Sequence, residues 1–143
     1  MCGIVGLFAK SASVEERLGV HLAAMLEQMN DRGPDSAGVA VYRDPELSGS
    51  SKLTLYSSDP SEDWVSLAAA IGASEPAVRA SHAVLVVDTE PAEAEAWVRE
   101  TRPDLRVMSA GRVIEIYKET GLPRSFAEDF RLTDFQGTHA LGH

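Results

Sequence analysis

Apolar residues at the start of the chain first form an unbroken run and then recur at helical spacing. The run GIVGLF at residues 3–8 predicts a buried strand, in which the two glycines leave room for close backbone approach. Apolar side chains then recur every three or four residues, which predicts one amphipathic helix with a stripe of Val14, Leu18, Leu22, Met25, Leu26 and Met29. Ser13 and Glu16 have the spacing of a capping box, so we expect the helix to begin there.

The next segment, NDRGPDSAG at residues 30–38, cannot continue the helix. Gly33 favours a positive φ, Pro34 disfavours helical backbone at the residue before it, and Asp35 tends to bond to local backbone. A short strand, VAVY at residues 39–42, and a loop follow. We therefore place the end of a first segment at residue 43.

From residue 52 onwards, strand patterns and helix patterns alternate. Strands are predicted at KLTLYS and SHAVLVVDT, helices at EDWVSLAAAIGA, PAEAEAWVRET and LPRSFAEDFRL, and a hairpin or bent strand pair at LRVMSAGRVIEIYKE. This order predicts a small α/β unit packed in layers. The last stretch, GTHALGH, has the pattern of the start of another strand, so we expect the natural product to run further.

The composition is that of an ordinary globular protein. The 143 residues have the length of one domain, and 44% apolar and 24% charged residues are typical values. The single cysteine excludes an internal disulfide and a zinc site of several thiolates, which favours a reducing, cytoplasmic setting. The apolar run behind Met1 is too short to span a membrane and lacks the basic flank of a secretory signal, so we predict no membrane association.

The net charge of −9 argues against a nucleic-acid partner, because neutralising phosphates requires a basic surface. The acidity is uneven: residues 1–43 carry a net charge of −1, and residues 44–143 carry −8. We interpret the excess as a solvated acidic surface.

The lone cysteine stands second in the chain, where it has a chemical option that an internal cysteine lacks. Removal of Met1, which is common before a small residue, would put a thiol and a free α-amine on the same residue. The α-amine, with an ordinary pKa of about 7.7–8.0, could accept the thiol proton directly or through a water. If Met1 remained, the nitrogen of Cys2 would be an amide, which is no base. The alternative is that Cys2 is a small apolar residue that begins a strand.

The cluster RGPDSAG at residues 32–38 combines residue types that can fix a turn. Arg32 can donate a bidentate fork to a carboxylate or to backbone oxygens, and Asp35 can hold that fork or the turn in place. Alone, the cluster is consistent with an arginine-locked turn between a helix and a strand. We expect it to lie beside the nucleophile and to hold the first strand in position.

MCGIVGLF, the helix that follows it and RGPDSAGVAVY together resemble the start of class II glutamine amidotransferases. The resemblance implies an α+β fold: the N-terminal part of an N-terminal-nucleophile (Ntn) hydrolase αββα sandwich with an inserted small α/β unit. It divides the chain into a glutaminase core segment at 1–43, the inserted unit at 44–134 and the start of a returning core strand at 135–143. The middle of the chain also resembles stand-alone amidotransferase subunits of glutamate-synthase-like and N-methylglutamate-synthase-like enzymes.

The same resemblance implies a reaction and a set of site residues. Cys2 would attack the side-chain amide of glutamine, form a thioester and release ammonia to a synthase subunit or domain, and no cofactor would be needed. The residues expected to form the supporting loop are Arg32, Gly33, Pro34 and Asp35. Gly142 and His143 would begin the Gly-His-Thr-Arg strand of the family.

The resemblance also implies that important groups lie beyond His143. These are the carboxylate-binding arginine, the oxyanion Asn-Gly pair and a substrate-binding aspartate of the family. Because one oxyanion donor commonly contributes about 10²–10³ in rate, we expect the 143 residues by themselves to hydrolyse glutamine poorly or not at all.

Other interpretations remain open. His139 and His143 are four residues apart, as two metal ligands on a helix would be, but their segment has a strand pattern and no general-base glutamate, so we predict no metal site. The chain could instead be an Ntn hydrolase of another amide, although that activity gives no reason for RGPDSAG. It could also be a non-catalytic interaction or regulatory domain that keeps the fold.

Overall fold

The computed structural model describes residues 3–30 and 35–143. In chain order its elements are β1 (Val5–Phe8), α1 (Ala12–Glu15), α2 (Leu18–Glu27), β2 (Ser36–Tyr42), β3 (Ser51–Tyr56), α3 (Trp64–Ile71), β4 (Ala77–Arg79), β5 (His82–Val87), α4 (Pro91–Thr101), β6 (Arg106–Gly111), β7 (Ile114–Thr120), α5 (Pro123–Asp129), a 3₁₀ turn (Leu132–Asp134) and β8 (His139–Gly142). The pairings of β8 with β1 and β2, of β3 with β5 and β6, and of β4 with β5 are antiparallel. This mixture of helices and antiparallel sheets confirms the α+β class. Within the described ranges, no helix combines the length and the apolar character needed to cross a membrane.

The chain folds as two compact units. The first is built from the residues up to Asp44 and from Ile116 to His143, and the second from Pro45 to Glu115. Residues 116–134, predicted above as part of the inserted unit, therefore belong to the first unit. The physical reason is aromatic packing between α5 and β7. The Phe126 ring of α5 stacks on Phe130 with centroids 4.4 Å apart, and Phe130 contacts Tyr117 of β7 edge-on, with centroids 5.8 Å apart.

A helical layer covers one face of the first unit's sheet, whose strand order is β1-β8-β2-β7. Leu18, Leu22 and Leu26 of α2 are fully buried, so the predicted apolar stripe packs inward at these positions. Buried aromatic residues from β7, α5 and the segment around the 3₁₀ turn complete this core: Tyr117, Phe126, Phe130 and Phe135.

The predicted single helix is divided into α1 and α2. The predicted capping box is wrong, because Ser13 lies inside α1 and Glu16 at its C-terminal end, while Ser11 holds the N-cap position. The interruption coincides with a tertiary contact: the Gly19 N–H donates to the Phe135 carbonyl at 2.9 Å, which no local pattern encodes.

β1 lies at the edge of its sheet and is not the buried strand that its apolar run predicts. Phe8 is 66% exposed, and Ile4, just before the strand, is 78% exposed. Val5 and Leu7 are half-buried. An edge strand has one neighbour, here β8, and α2 packs against only one of its two faces. The other face of this strand therefore presents apolar side chains to solvent.

In the second unit, four strands in the order β4-β5-β3-β6 form a sheet that packs against α3 and α4. Each helix connects two parallel strands that have an antiparallel strand between them, which is the split β-α-β arrangement of ferredoxin-like folds. The predicted α/β unit is thus an antiparallel α+β unit. The predicted hairpin around residues 110–111 is also wrong, because β6 and β7 belong to different sheets. The alternative of a bent strand pair agrees with this change of sheet.

An ion-pair network joins the C-terminal end of α4 to the loop before α3. Arg102 donates to both carboxylate oxygens of Glu62, at 3.1 and 2.9 Å, and to both oxygens of Asp104, at 3.0 and 2.6 Å. The Glu62 side chain is only 7% exposed, so its charge depends on this partner. Hydrogen bonding from the Arg102 guanidinium holds the pKa of the Asp104 carboxyl below its usual range.

We expect Arg102→Ala to lower the free energy of unfolding of the second unit by about 1–3 kcal/mol, because the buried Glu62 carboxylate loses its charged donor. The difference in the free energy of unfolding between Arg102→Ala and the wild type should shrink as the pH falls below about 4. Asp104, whose pKa is depressed by folding, contributes stability above its unfolded pKa and loses that contribution as the pH falls through its folded value. Urea unfolding at several pH values measures both effects, with fluorescence from Trp64 and Trp97, the chain's two tryptophans, both in this unit.

Arg99→Ala is the matched control for this experiment. Arg99 lies on the same helix, but its side chain is 71% exposed and its ion pair is the i,i+4 contact with Glu95. Such pairs contribute about 0.3–0.5 kcal/mol. Equal losses for the two arginines would contradict a special role for the buried carboxylate.

Candidate functional site

The structure describes part of the site predicted from the sequence. Outside the described residues lie Cys2, Arg32, Gly33 and Pro34. Their roles and their predicted position beside one another therefore stay predictions. Asp35, Gly142 and His143 are described, and the strands on either side of them fix where they lie.

β2 and the end of β8 bring the second motif next to His143. The Gly38 N–H donates to the His143 carbonyl and the His143 N–H to the Gly38 carbonyl, each at 3.0 Å, which continues the β2–β8 ladder by one pair. On the other side of β2, the Gly121 N–H donates to the Asp35 carbonyl at 3.1 Å. The start of β2 is thus held between the end of β8 and the end of β7.

Gly38 allows an unusually close approach in this region. A Cβ added to Gly38 would lie 2.9 Å from the Tyr117 carbonyl oxygen, 3.2 Å from His143 Nε2 and 3.3 Å from Lys118 Cβ. The contact with a backbone oxygen leaves no room for a side chain, so glycine is required at this position. The same vacancy lets the His143 ring and the Lys118 stem lie side by side above Gly38.

A cavity of about 220 Å³ lies where these elements meet. Its described lining residues are Gly3, Met29, Asp35, Ser36, Lys118, Pro123 and His143. Gly3 directly follows Cys2 in the sequence, and Asp35 directly follows Pro34. The cavity therefore lies at the described ends of both sequence motifs, and it brings together two of the predicted site residues, Asp35 and His143.

Gly142, the third described site residue, does not line this cavity and has a packing role. A Cβ at this position would lie 3.0 Å from Leu26 Cδ2 and 3.1 Å from Val5 Cγ2, so its free side faces α2. Gly142 lets β8 pack closely against that helix.

The opposite face of the sheet carries exposed apolar side chains. An apolar groove of about 280 Å³ on the first unit is lined by Ile4, Ala40, Ile116 and Leu141, and it shares Lys118 and His143 with the cavity described above. Beyond it, the ring of His139 stacks between those of Phe8 and Tyr42, with centroids 5.6 and 4.1 Å away. Leu141 is 50% exposed, and Ile4 and Phe8 are more exposed still.

His139 and His143 do not form a pair of metal ligands. The predicted strand is confirmed by β8, and residues four apart on a strand are about 13 Å apart. His139 Nδ1 lies 3.0 Å from Thr138 Oγ1, which gives the ring a local hydrogen-bond partner. Across residues 3–30 and 35–143 there is no group of three or more His, Cys, Asp or Glu side chains that could hold a metal ion.

Lys118, which lines the cavity, and Gly38, which lies next to its lining residues Lys118 and His143, were not singled out as site residues from the sequence. Gly38 belongs to RGPDSAG. Glycine is needed there because the Tyr117 carbonyl comes close, and Tyr117 lies on β7, a strand far away in the sequence. Lys118 belongs to no motif. Strand alternation predicts that it points away from the buried Tyr117, but it does not predict that β7 lies next to β2.

Sequence comparison identifies relatives over the whole chain. It is 42% identical over 148 residues to the "Glutamine amidotransferase-like protein GlxB" of Rhizobium meliloti (strain 1021), covering all of this chain and 49% of that protein. It is 25% identical over 156 residues to the "Putative glutamine amidotransferase" of Methanothermobacter thermautotrophicus, covering all of this chain and 51% of that protein. No protein-family model matches the chain. The chain spans about half the length of the curated relatives it matches, and over that half it is similar to proteins that carry glutamine amidotransferase names.

Proposed function

We propose that the full-length protein is a class II glutamine amidotransferase whose nucleophile is the N-terminal thiol of Cys2. The observation that carries this proposal is the 220 Å³ cavity, whose wall includes the residue after Cys2, the residue after Pro34 and His143. Segments that are far apart in the sequence, and that resemble three separate parts of the family motif, thus border one space. The names of the two relatives support the same activity.

The proposed reaction uses only groups of the chain and the substrate. The α-amine of Cys2 takes the thiol proton, and the sulfur attacks the side-chain amide carbon of glutamine. The carbon–nitrogen bond then breaks, the nitrogen leaves as ammonia with the transferred proton, and a γ-glutamyl thioester remains. Water hydrolyses the thioester to give glutamate and the free thiol. No cofactor takes part.

In this proposal, Arg32, Gly33, Pro34 and Asp35 form the loop that supports the nucleophile, and the first unit is part of an αββα sandwich. The apolar face that includes Ile4, Phe8 and Leu141 supports the sandwich, because two packed sheets bury such faces against each other about 10 Å apart. A second sheet would cover this face in the full-length protein. The sequence predicted a core at 1–43 and 135–143 with an insertion at 44–134. We keep this division into a core and an insertion, but we now take the insertion to be the second unit, residues 45–115.

Ammonia released at the site would be used by a synthase subunit or domain. We propose the second unit, which carries a net charge of −6, as the surface on which that partner docks. A complex that still assembled after deletion of residues 45–115 would contradict this docking role. The cytoplasmic location stays a prediction from the single cysteine.

Intact-protein mass spectrometry of the full-length protein after exposure to a glutamine-like diazoketone tests the proposed activity. We expect one added label per chain, on a Cys2 from which Met1 has been removed, and no label on Cys2→Ala. The label should fall when excess L-glutamine is present, because both compounds compete for the same cavity.

Label on another residue, or an N-terminus that keeps Met1 in an active protein, would contradict the proposal. A correctly folded protein that neither takes up label nor hydrolyses glutamine would favour the non-catalytic domain instead.

A further inference from the structure

The outer side of α3 in the second unit lacks the charged residues that an exposed helix normally carries. Its sequence, WVSLAAAI, contains no charged side chain, and its exposed positions are Val65, Ser66, Ala69 and Ala70. Val65 is 68% exposed, and Ala69 lies one turn further on, on the same side of the helix. A helix that has one face in a core normally presents charged residues to water on the other.

α4, which packs on the same sheet, has this normal pattern. Ala94 and Val98 are buried, and the exposed positions of α4 include Glu93, Arg99 and Glu100. Both helices cover the same core, so the fold of the unit does not require an apolar outer face. That face is therefore a specific property of α3.

The apolar surface continues at the edge of the sheet. Val78 of β4 is 51% exposed and pairs with Ala83 of β5, which belongs to the core beneath the helices. Side chains of directly paired residues lie on the same face of a sheet, so Val78 lies on the face that carries α3. β4 is at the edge of this sheet, which leaves Val78 accessible.

Acidic residues lie before and after α3, and basic residues are absent from this part of the sequence. Residues 53–78 include no lysine or arginine and four acidic residues, Asp59, Glu62, Asp63 and Glu75. Glu62 is paired with Arg102, so the other three carboxylates give the region its negative charge. Hydrogen bonds from Ser66 hold the pKa of the Asp63 carboxyl below its usual range, so this charge is present at neutral pH.

We propose that the outer face of α3 is the surface on which the synthase partner docks, through an amphipathic helix that has apolar residues along one side and lysine or arginine in its end turns. This inference rests on the proposed function, in which the second unit carries the partner, and it names the surface and the chemistry of the contact. The exposed alanines allow a second helix to approach closely, and Val65 provides an apolar anchor. The carboxylates at the ends of α3 complement basic residues.

The charge argues against other occupants of this face. Carboxylates repel the phosphates of nucleic acids and the headgroups of anionic lipids. A second copy of the chain would bring its own carboxylates against them, and like charges across an interface are unfavourable. A protein segment that combines apolar and basic residues has neither problem.

The test uses the full-length protein and a synthetic helical peptide of about 18 residues, roughly 27 Å long, with leucine along one side and lysine in its first and last turns. A second peptide has glutamate in place of lysine. Calorimetry gives the dissociation constants, and we expect the glutamate peptide to bind at least about tenfold more weakly than the lysine peptide.

Val65→Glu should weaken binding of the lysine peptide about tenfold or more, because an apolar contact is replaced by a charge that must lose water. Ala69→Glu, one turn away, should have the same effect. Ala96→Glu is the matched control, since it adds the same charge at an exposed position of α4. It should change the dissociation constant less than about twofold. Urea unfolding checks that all three variants keep the stability of the wild type.

The contribution of the carboxylates is tested separately by the double variant Asp63→Asn, Glu75→Gln. Asparagine is as good an N-cap as aspartate, so α3 should keep its start. We expect the lysine peptide to bind about three- to tenfold more weakly, with a smaller salt dependence. An unchanged dissociation constant would overturn the basic chemistry of the partner helix.

Equal binding of the lysine peptide to Val65→Glu and Ala96→Glu would overturn the α3 surface, because attraction to an acidic protein would then explain the binding. Self-association of the wild type that Val65→Glu abolishes would assign the face to a second copy and overturn the proposal, and binding to anionic lipid vesicles that Val65→Glu abolishes would do the same for a membrane.

Labelling of Cys2 by the diazoketone separates this inference from the proposed function, since it does not use α3. Labelling without specific peptide binding overturns the docking surface alone. Specific peptide binding without labelling or glutamine hydrolysis overturns the proposed function, and with it the synthase as the partner, but it supports the docking surface.

Discussion

The full-length protein with Cys2→Ala is expected to hydrolyse L-glutamine about 10⁴-fold more slowly than the wild type, or worse, because no thioester can form without the sulfur. Release of glutamate and ammonia from L-glutamine measures the effect. The loss should lie in kcat, and L-glutamine should still bind, because the cavity wall of Asp35, Lys118 and His143 is unchanged.

A second variant tests the role of the α-amine rather than that of the sulfur. Insertion of an alanine between Met1 and Cys2 keeps the thiol but converts its neighbouring nitrogen into an amide, which cannot accept a proton. We expect a loss close to that of Cys2→Ala. Full activity of the insertion variant would show that another group is the base, and full activity of Cys2→Ala would exclude the proposed mechanism.

Gly19→Ala is expected to destabilise the first unit by about 3–5 kcal/mol, the largest effect that we predict for a single methyl group. An added Cβ would lie 1.9 Å from the Leu132 carbonyl oxygen and 2.9 Å from the backbone nitrogen of Phe135. Both neighbours are fully buried, so α2 and the 3₁₀ turn would have to separate and the 2.9 Å bond from the Gly19 N–H to Phe135 would be lost. The gain of about 1 kcal/mol from replacing glycine by alanine in a helix is too small to offset this cost.

Hydrogen exchange resolved along the chain measures this prediction, since the two units can be followed separately. Amides of α2 and β8 should lose protection, while those of the second unit should keep it. Gly6→Ala is the matched control: its Cβ would meet only the end of the Leu141 side chain, at 3.3 Å, and the expected change is below about 1 kcal/mol. Equal effects of the two substitutions would contradict the clash with backbone.

Local patterns predicted the type of most elements but not how they are joined. The apolar stripe of α2 was predicted correctly at Leu18, Leu22 and Leu26, because helical periodicity is a property of neighbouring residues. The burial of β1 was predicted wrongly, because an apolar run gives no information on whether a strand is central or at an edge. The prediction of one continuous helix was wrong, and its interruption coincides with the contact of Gly19 with Phe135, more than one hundred residues away in the sequence, which a local pattern cannot predict.

For the candidate site, too, some features could be predicted from the sequence and others only from the tertiary structure. The sequence alone singled out Cys2 and the RGPDSAG cluster as candidates, which stay predictions, since the chemistry of an N-terminal cysteine and of an arginine-glycine turn depends on residues that are adjacent in the chain. The tertiary structure decided that Asp35 and His143 border one cavity, that Gly142 packs against α2 and that Lys118 joins the cavity from β7. It also decided that the sheet of the second unit is antiparallel and that this unit ends at residue 115. The physical reason is that strand order and close backbone approach are set by hydrogen bonds and packing between segments far apart in the chain, whereas periodicity and nucleophile chemistry are local.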